Sequence, residues 1–131
     1  MKALPYLALA FAFSLSAAYA EDQFDGTKPL KCTAEKGHDC MPKSCSPLKP
    51  ESGKNPVYDI DFANKEVRSP FRTDVMKVAH TTTNEQSLVL QGAALEFAWS
   101  ALINKTTGAL TVAVADRKGA YIAFGTCKVA E

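Results

Sequence analysis

The residues best equipped for chemistry lie in one octapeptide, His38-Asp39-Cys40-Met41-Pro42-Lys43-Ser44-Cys45. Two thiolates, an imidazole and a thioether suit Cu(I) or Zn(II), so His38, Cys40, Met41 and Cys45 form one candidate metal set. The C-x4-C spacing is loose for such a site, and it is not the C-x2-C of thioredoxin-like redox motifs. In an exporting compartment thiols oxidise, and the same two cysteines then read as a small disulfide loop.

Other catalytic sets are missing from the sequence. It holds no G-x-S-x-G elbow, no H-E-x-x-H and no phosphate-cradling glycine loop. His38 and His80 are the only histidines, and no Ser or Asp spacing supports a triad with either. Asp59 and Asp61 share a strand face, a like-charge arrangement that can raise a carboxyl pKa. A solvated sheet edge is the ordinary reading of such a pair. Trp99, Tyr58 and Tyr121 combine an apolar body with a polar tip, which suits a ligand pocket. In so small a domain Trp99 is also the natural centre of the core. Asn104-Lys105-Thr106 matches an N-glycosylation sequon at an expected hairpin tip.

These residues must be delivered and positioned. The chain opens MKALPYLALAFAFSLSAAYA, with Lys2 before an apolar run and Ala18-Tyr19-Ala20 as a small-x-small cleavage box. That pattern is a secretory signal peptide over residues 1–20; the run is too short, and wrongly flanked, for a membrane span. Removing it leaves 111 residues, enough for one domain with one core. Lys2 is the leader's only charge, so 14 Lys+Arg then stand against 14 Asp+Glu. A neutral balance argues against nucleic-acid binding, which needs a basic field to exchange for counterions. No second apolar span follows, so the exported chain is expected to be periplasmic or secreted and not membrane-spanning.

All four cysteines, Cys32, Cys40, Cys45 and Cys127, follow the leader, and an even count in an exported chain reads as two disulfides. Of the three pairings available, Cys40–Cys45 as a small loop with Cys32–Cys127 as a long staple is favoured. Residues 21–56 carry Pro29, Pro42, Pro47, Pro50 and Pro56, which argue against a long helix or central strand. The expectation there is a coil, anchored by Phe24 and Leu30. Six lysines between 28 and 54 face only Glu35, Asp39 and Glu51, an excess that reads as a solvated basic loop.

From residue 57 to 131 the pattern changes. Val57 to Phe62 alternates strictly, and further strands are expected at Glu66–Arg68, Asp74–Thr82, Ser87–Gln91, Leu95–Ile103, Leu110–Val114 and Tyr121–Phe124. Connections of about four residues leave no room for crossover helices. The expected fold is all-β, an antiparallel meander of six to seven strands forming a small barrel or strongly curled sheet, with a disulfide-stapled N-terminal coil. Leu95, Phe97, Trp99, Ala101 and Ile103, with Ile122 and Phe124, are expected inward. Gly108 is expected to take a positive φ.

Opposite that face the residues are small: Ala98, Ser100, Ala109, Thr111, Ala113, Ala115, Ala123 and Gly125. Small side chains admit a close backbone or a ligand. The N-terminal segment is expected to lie across them, and a groove lined by Ala113, Tyr121, Ala123 and Trp99 is the candidate ligand site.

Phe24-Asp25-Gly26-Thr27-Lys28-Pro29-Leu30-Lys31-Cys32, Leu90-Gln91-Gly92 with Trp99-Ser100, Thr107-Gly108-Ala109-Leu110-Thr111 and Phe124-Gly125-Thr126-Cys127 together carry a resemblance. The chain resembles a group of small exported proteobacterial β-rich proteins with four Cys and no known activity. The resemblance implies a periplasmic setting and pairing of the first and last Cys, and brings no catalytic residue. The expectation is an exported, non-enzymatic binding or interaction module. Its partner would be a protein or small molecule of the cell envelope, with no cofactor implied. Metal handling by the His38–Cys45 loop, or a small enzyme without a recognisable motif, are the alternatives.

Overall fold

The computed structural model describes residues 23–50 and 53–130, so the expected leader lies outside the described residues. Ten strands form among them: β1 (Leu30–Met41), β2 (Ser44–Pro47), β3 (Val57–Asp61), β4 (Glu66–Arg68), β5 (Met76–Lys77), β6 (His80–Thr83), β7 (Ser87–Ala93), β8 (Phe97–Asn104), β9 (Ala109–Asp116) and β10 (Ala120–Val129). No helix occurs among the described residues. Nine strands follow one continuous order, β5-β4-β3-β1-β10-β9-β8-β7-β6, and β2 pairs with β1 off this path. All the pairings are antiparallel, as short connections require.

The all-β class and the strongly curled sheet are as expected; the strand count is higher, and the N-terminal coil needs correction. The stretch 21–56 contains β1, which at 12 residues is the longest strand. One edge of β1 pairs with β10, and the other is shared between β3 and β2. The prolines mislead because they frame the strand: Pro29 precedes it, Pro42 follows it, and Leu30–Met41 between them has none. The segment therefore joins the sheet edge to edge instead of lying across a face.

One register shift in β1 has a large effect. Ala34 pairs with Gly125 and Lys36 with Phe124, which leaves Glu35 as an extra, bulged residue. Side chains alternate along a strand, so an inserted residue exchanges the two faces. Cys32 and Cys40 are eight residues apart in sequence and would share a face in a regular strand. After the bulge Cys32 points into the core while Cys40 pairs with Ala120 on the outer face.

The concave face is the core. Leu30, Leu88, Leu90, Ile103 and Cys32 are its most completely buried side chains. Each buried Leu or Ile there contributes about 1.5–3 kcal/mol by removal from water. Phe24 and Leu30 are buried, as expected of anchors. Ile122 and Phe124 correct the reading: they lie on the convex face, 42% and 48% exposed. Size suggested they were inward, but the parity of β10 is set by buried Cys127 and Ala123. Leu95 is likewise not a core residue. It sits at the β7–β8 hairpin tip, fully exposed, where Ala94 N–H donates to Phe97 O (2.9 Å) and closes the turn.

The sheet is curled by a single switch. The strand expected over Asp74–Thr82 is split into β5 and β6, which occupy opposite ends of the sheet. Between them Val78 N–H donates to Lys65 O (2.9 Å) on one side and Ala79 N–H to Gln91 O (2.8 Å) on the other. Two consecutive residues thus draw the two edges together into a half-barrel. Gly92 makes the approach feasible, because a Cβ there would lie 2.5 Å from Lys77 O and 2.6 Å from Trp99 Nε1.

Four corners share one device. Asp61, Asn84, Asn104 and Asp116 each accept a backbone N–H two or three residues ahead through the side-chain oxygen. Such Asx turns stand in for backbone bonds that a tight corner cannot make. Gly108 takes φ +75°, as expected.

Candidate functional site

The curled sheet encloses a cavity of about 620 Å³ on its concave side. Its walls follow from alternation. Trp99 and Ala101 of β8, Leu110, Val112 and Val114 of β9, and Tyr121 and Ala123 of β10 all turn inward. Tyr58 and Ile60 of β3 complete the opposite wall, with Phe71 and Phe97 nearer the solvent.

Three of the four expected ligand residues come together here: Trp99, Tyr121 and Ala123 line the cavity. Ala113 does not. Ala123 pairs with Val112, while Ala113 pairs with exposed Ile122 and points outward with it. Ala113 thus lies with the other small residues of β8 and β9 away from Val112 and Val114, as expected; the error is in β10, whose parity was taken one residue out, which moves Ala123 and its whole side-chain set across the sheet. Ala98, Thr111 and Ala115 are exposed with Ala113 on the convex side. Ala123 belongs instead with the large residues of the concave side.

Charged groups sit where the cavity meets solvent. Glu35, Lys36, Lys49, Arg72, Glu96 and Asp116 border it, and all are exposed. Arg72 lies over the Phe97 ring, 5.1 Å from its centroid, and its guanidinium donates to Asp74 Oδ2 at 3.2 Å. Tyr58 meets Phe71 edge to face at a centroid distance of 6.4 Å.

The two phenols inside are electrostatically coupled to their setting. Burial, and then the neighbouring Tyr121 phenol, push the Tyr58 phenol up to about 12. Burial also raises the Tyr121 phenol. Both therefore stay protonated at any physiological pH and present O–H donors. Neither hydroxyl hydrogen-bonds to another described residue.

The octapeptide forms the β1–β2 hairpin. Cys40 and Cys45 face each other across it and are joined as a disulfide. Cys32 and Cys127 form the second, between adjacent strands β1 and β10. With both Cys40 and Cys45 sulfurs bonded, neither is a thiolate. Among the described residues no group of three or more His, Cys, Asp or Glu is placed to hold a metal. Asp59 and Asp61 do not act as a pair: Asp59 accepts from Lys31 Nζ at 2.7 Å, and Asp61 caps the turn at Asn64.

Phe71 and Arg72 escaped the sequence reading. They lie between β4 and β5 in an irregular segment with no periodicity to mark a face. Phe97 carried a readable signal, since it shares its strand parity with Trp99. Comparisons with protein-family models, with curated proteins and with solved structures find no match for this chain.

Proposed function

We propose that this protein is an exported, non-enzymatic binding module that takes a small, largely apolar molecule into its half-barrel. The observation that carries the reading is the cavity itself. At about 620 Å³ it falls within the range of about 300–1,000 Å³ typical of small-molecule sites. It also has their composition, with apolar and aromatic walls and a few polar tips. A leader-like first 20 residues and two disulfides support a periplasmic or secreted setting. No described helix is long and apolar enough to cross a membrane.

The experiment uses the fact that Trp99 is the only tryptophan and lines the cavity. Oxidised protein comprising residues 21–131 is titrated with N-phenyl-1-naphthylamine while Trp99 emission is followed. The expected result is saturable quenching with rising probe emission, weakened in Ala123→Phe, which projects a ring into the cavity. Near-ultraviolet circular dichroism and the melting temperature establish that the variant is folded. Absence of saturable binding, or undiminished binding by the folded Ala123→Phe variant, defeats the proposal.

A further inference from the structure

The described chain contains eight aromatic residues, Phe24, Tyr58, Phe62, Phe71, Phe97, Trp99, Tyr121 and Phe124, and five of them line the one cavity. A cavity serving only to bury an aliphatic chain has no need of such a concentration, and aromatic walls favour stacked or edge-on rings. The polar groups are equally particular. Tyr58 and Tyr121 reach the cavity from β3 and β10, strands that flank β1 on its two sides, so their phenols face the same space from different elements. Both O–H groups lack a partner among the described residues. Charge is excluded from the interior: the six ionisable residues that border the cavity are all exposed, three of each sign, so the mouth selects neither anion nor cation.

We infer, building on the binding role proposed above, that the ligand is a neutral, planar aromatic molecule bearing a carbonyl oxygen. Its rings lie against Phe71, Phe97 and Trp99, and its oxygen accepts from the Tyr58 and Tyr121 hydroxyls. A carboxylate would bring a charge into an interior without a cation to meet it. A plain hydrocarbon would displace water from the two hydroxyls and offer nothing in return.

The test compares 2-acetylnaphthalene with 2-ethylnaphthalene, which match in size and differ in the carbonyl oxygen. Each competes against bound N-phenyl-1-naphthylamine on the oxidised protein. The expected result is that the ketone binds about tenfold tighter than the hydrocarbon. In Tyr58→Phe/Tyr121→Phe the hydrocarbon binds at least as tightly as before, the ketone loses its advantage, and the preference falls to about one. If the double variant does not fold, each single variant shows the preference cut to about threefold, the geometric midpoint of that range. Equal binding of the two compounds to the unaltered protein, or a preference that survives loss of both hydroxyls, overturns the inference and leaves the cavity reading standing. Failure of both compounds to displace a probe that does bind also overturns it. If the probe itself does not bind, the binding role falls and this inference with it.

Discussion

Gly125 and the carbonyl oxygen of Thr33 are so close that a Cβ built on Gly125 would lie 1.9 Å from that oxygen. This contact sits beside the point where β1 gains its extra residue, the bulge that puts Cys32 and Cys40 on different faces. The obstacle is backbone, so it cannot rotate away as a side chain would. Gly125→Ala is expected to lower stability by at least about 2 kcal/mol. Urea denaturation monitored by Trp99 emission checks this, with a shift in midpoint as the readout.

The two disulfides differ in what they restrain. Cys32–Cys127 spans 95 residues and Cys40–Cys45 spans 5. In the chain-entropy description the long bridge contributes about 4–5 kcal/mol and the short one about 2 kcal/mol. Cys32→Ala/Cys127→Ala is therefore expected to lose at least twice the stability lost by Cys40→Ala/Cys45→Ala. Alanine is chosen because Cys32 and Cys127 are buried among apolar neighbours, where a serine hydroxyl would add its own cost.

Hydrogen bonds from the Lys118 and Gly119 N–H groups hold the Asp116 carboxyl below the usual carboxylate value. A lowered folded-state value means that the stabilisation is present above the unfolded value and is lost as pH falls through the folded one. The unfolded value is about 4, so the loss belongs below about pH 4. Asp116→Asn keeps an acceptor oxygen for the turn and removes the titration. Its melting temperature is expected to match the parent at neutral pH and to decline less steeply in acid.

At the alkaline end the sign reverses. The folded-state phenols of Tyr58 and Tyr121 are raised, so the folded protein retains protons that the unfolded chain releases from about pH 10 upward. Stability is full below that value and falls between about pH 10 and 12. Tyr58→Phe is expected to soften this fall. Residues 21–131 contain only these two tyrosines. Phenolate absorbance of the Tyr121→Phe variant therefore reports Tyr58 alone, with a midpoint still raised by burial above the ordinary phenol value but below that of the parent, because the Tyr121 contribution is gone.

Much of the sheet was legible because antiparallel hairpins are local objects. Val57–Asp61, Glu66–Arg68 and the turns at Asn104–Gly108 and Asp116–Gly119 emerged from alternation and turn chemistry alone. What failed is non-local. β1 was hidden because its most extensive partner, β10, lies at the far end of the chain, and proline counted over a window outweighed a proline-free run inside it. Ile122 and Phe124 were assigned by size, whereas β10 is oriented by Cys127 meeting Cys32 from the other end of the chain. Of the candidate site, Trp99, Tyr121 and Ala123 line the cavity, but Ala123 had been placed with Ala113 on the small-residue face, an error of one register step in β10. Phe71 and Arg72 could not be found, since only folding brings an irregular loop to the cavity mouth.

The pairing of β1 with β10 has a consequence for how the molecule survives damage. Leu30 faces Val129, Ala130 N–H donates to Pro29 O, and the Cys32–Cys127 bond locks the same two strands. From Cys32 round to Cys127 the backbone is therefore a covalent ring. A protease that cuts once at a hairpin tip such as Arg117–Lys118 releases no fragment; it only chooses new ends for a molecule still held as one piece. A version in which the sequence starts at Lys118 and runs through a joined Val129–Leu30 neighbourhood should fold to the same sheet. Being a ring is a form of durability independent of the size of the core.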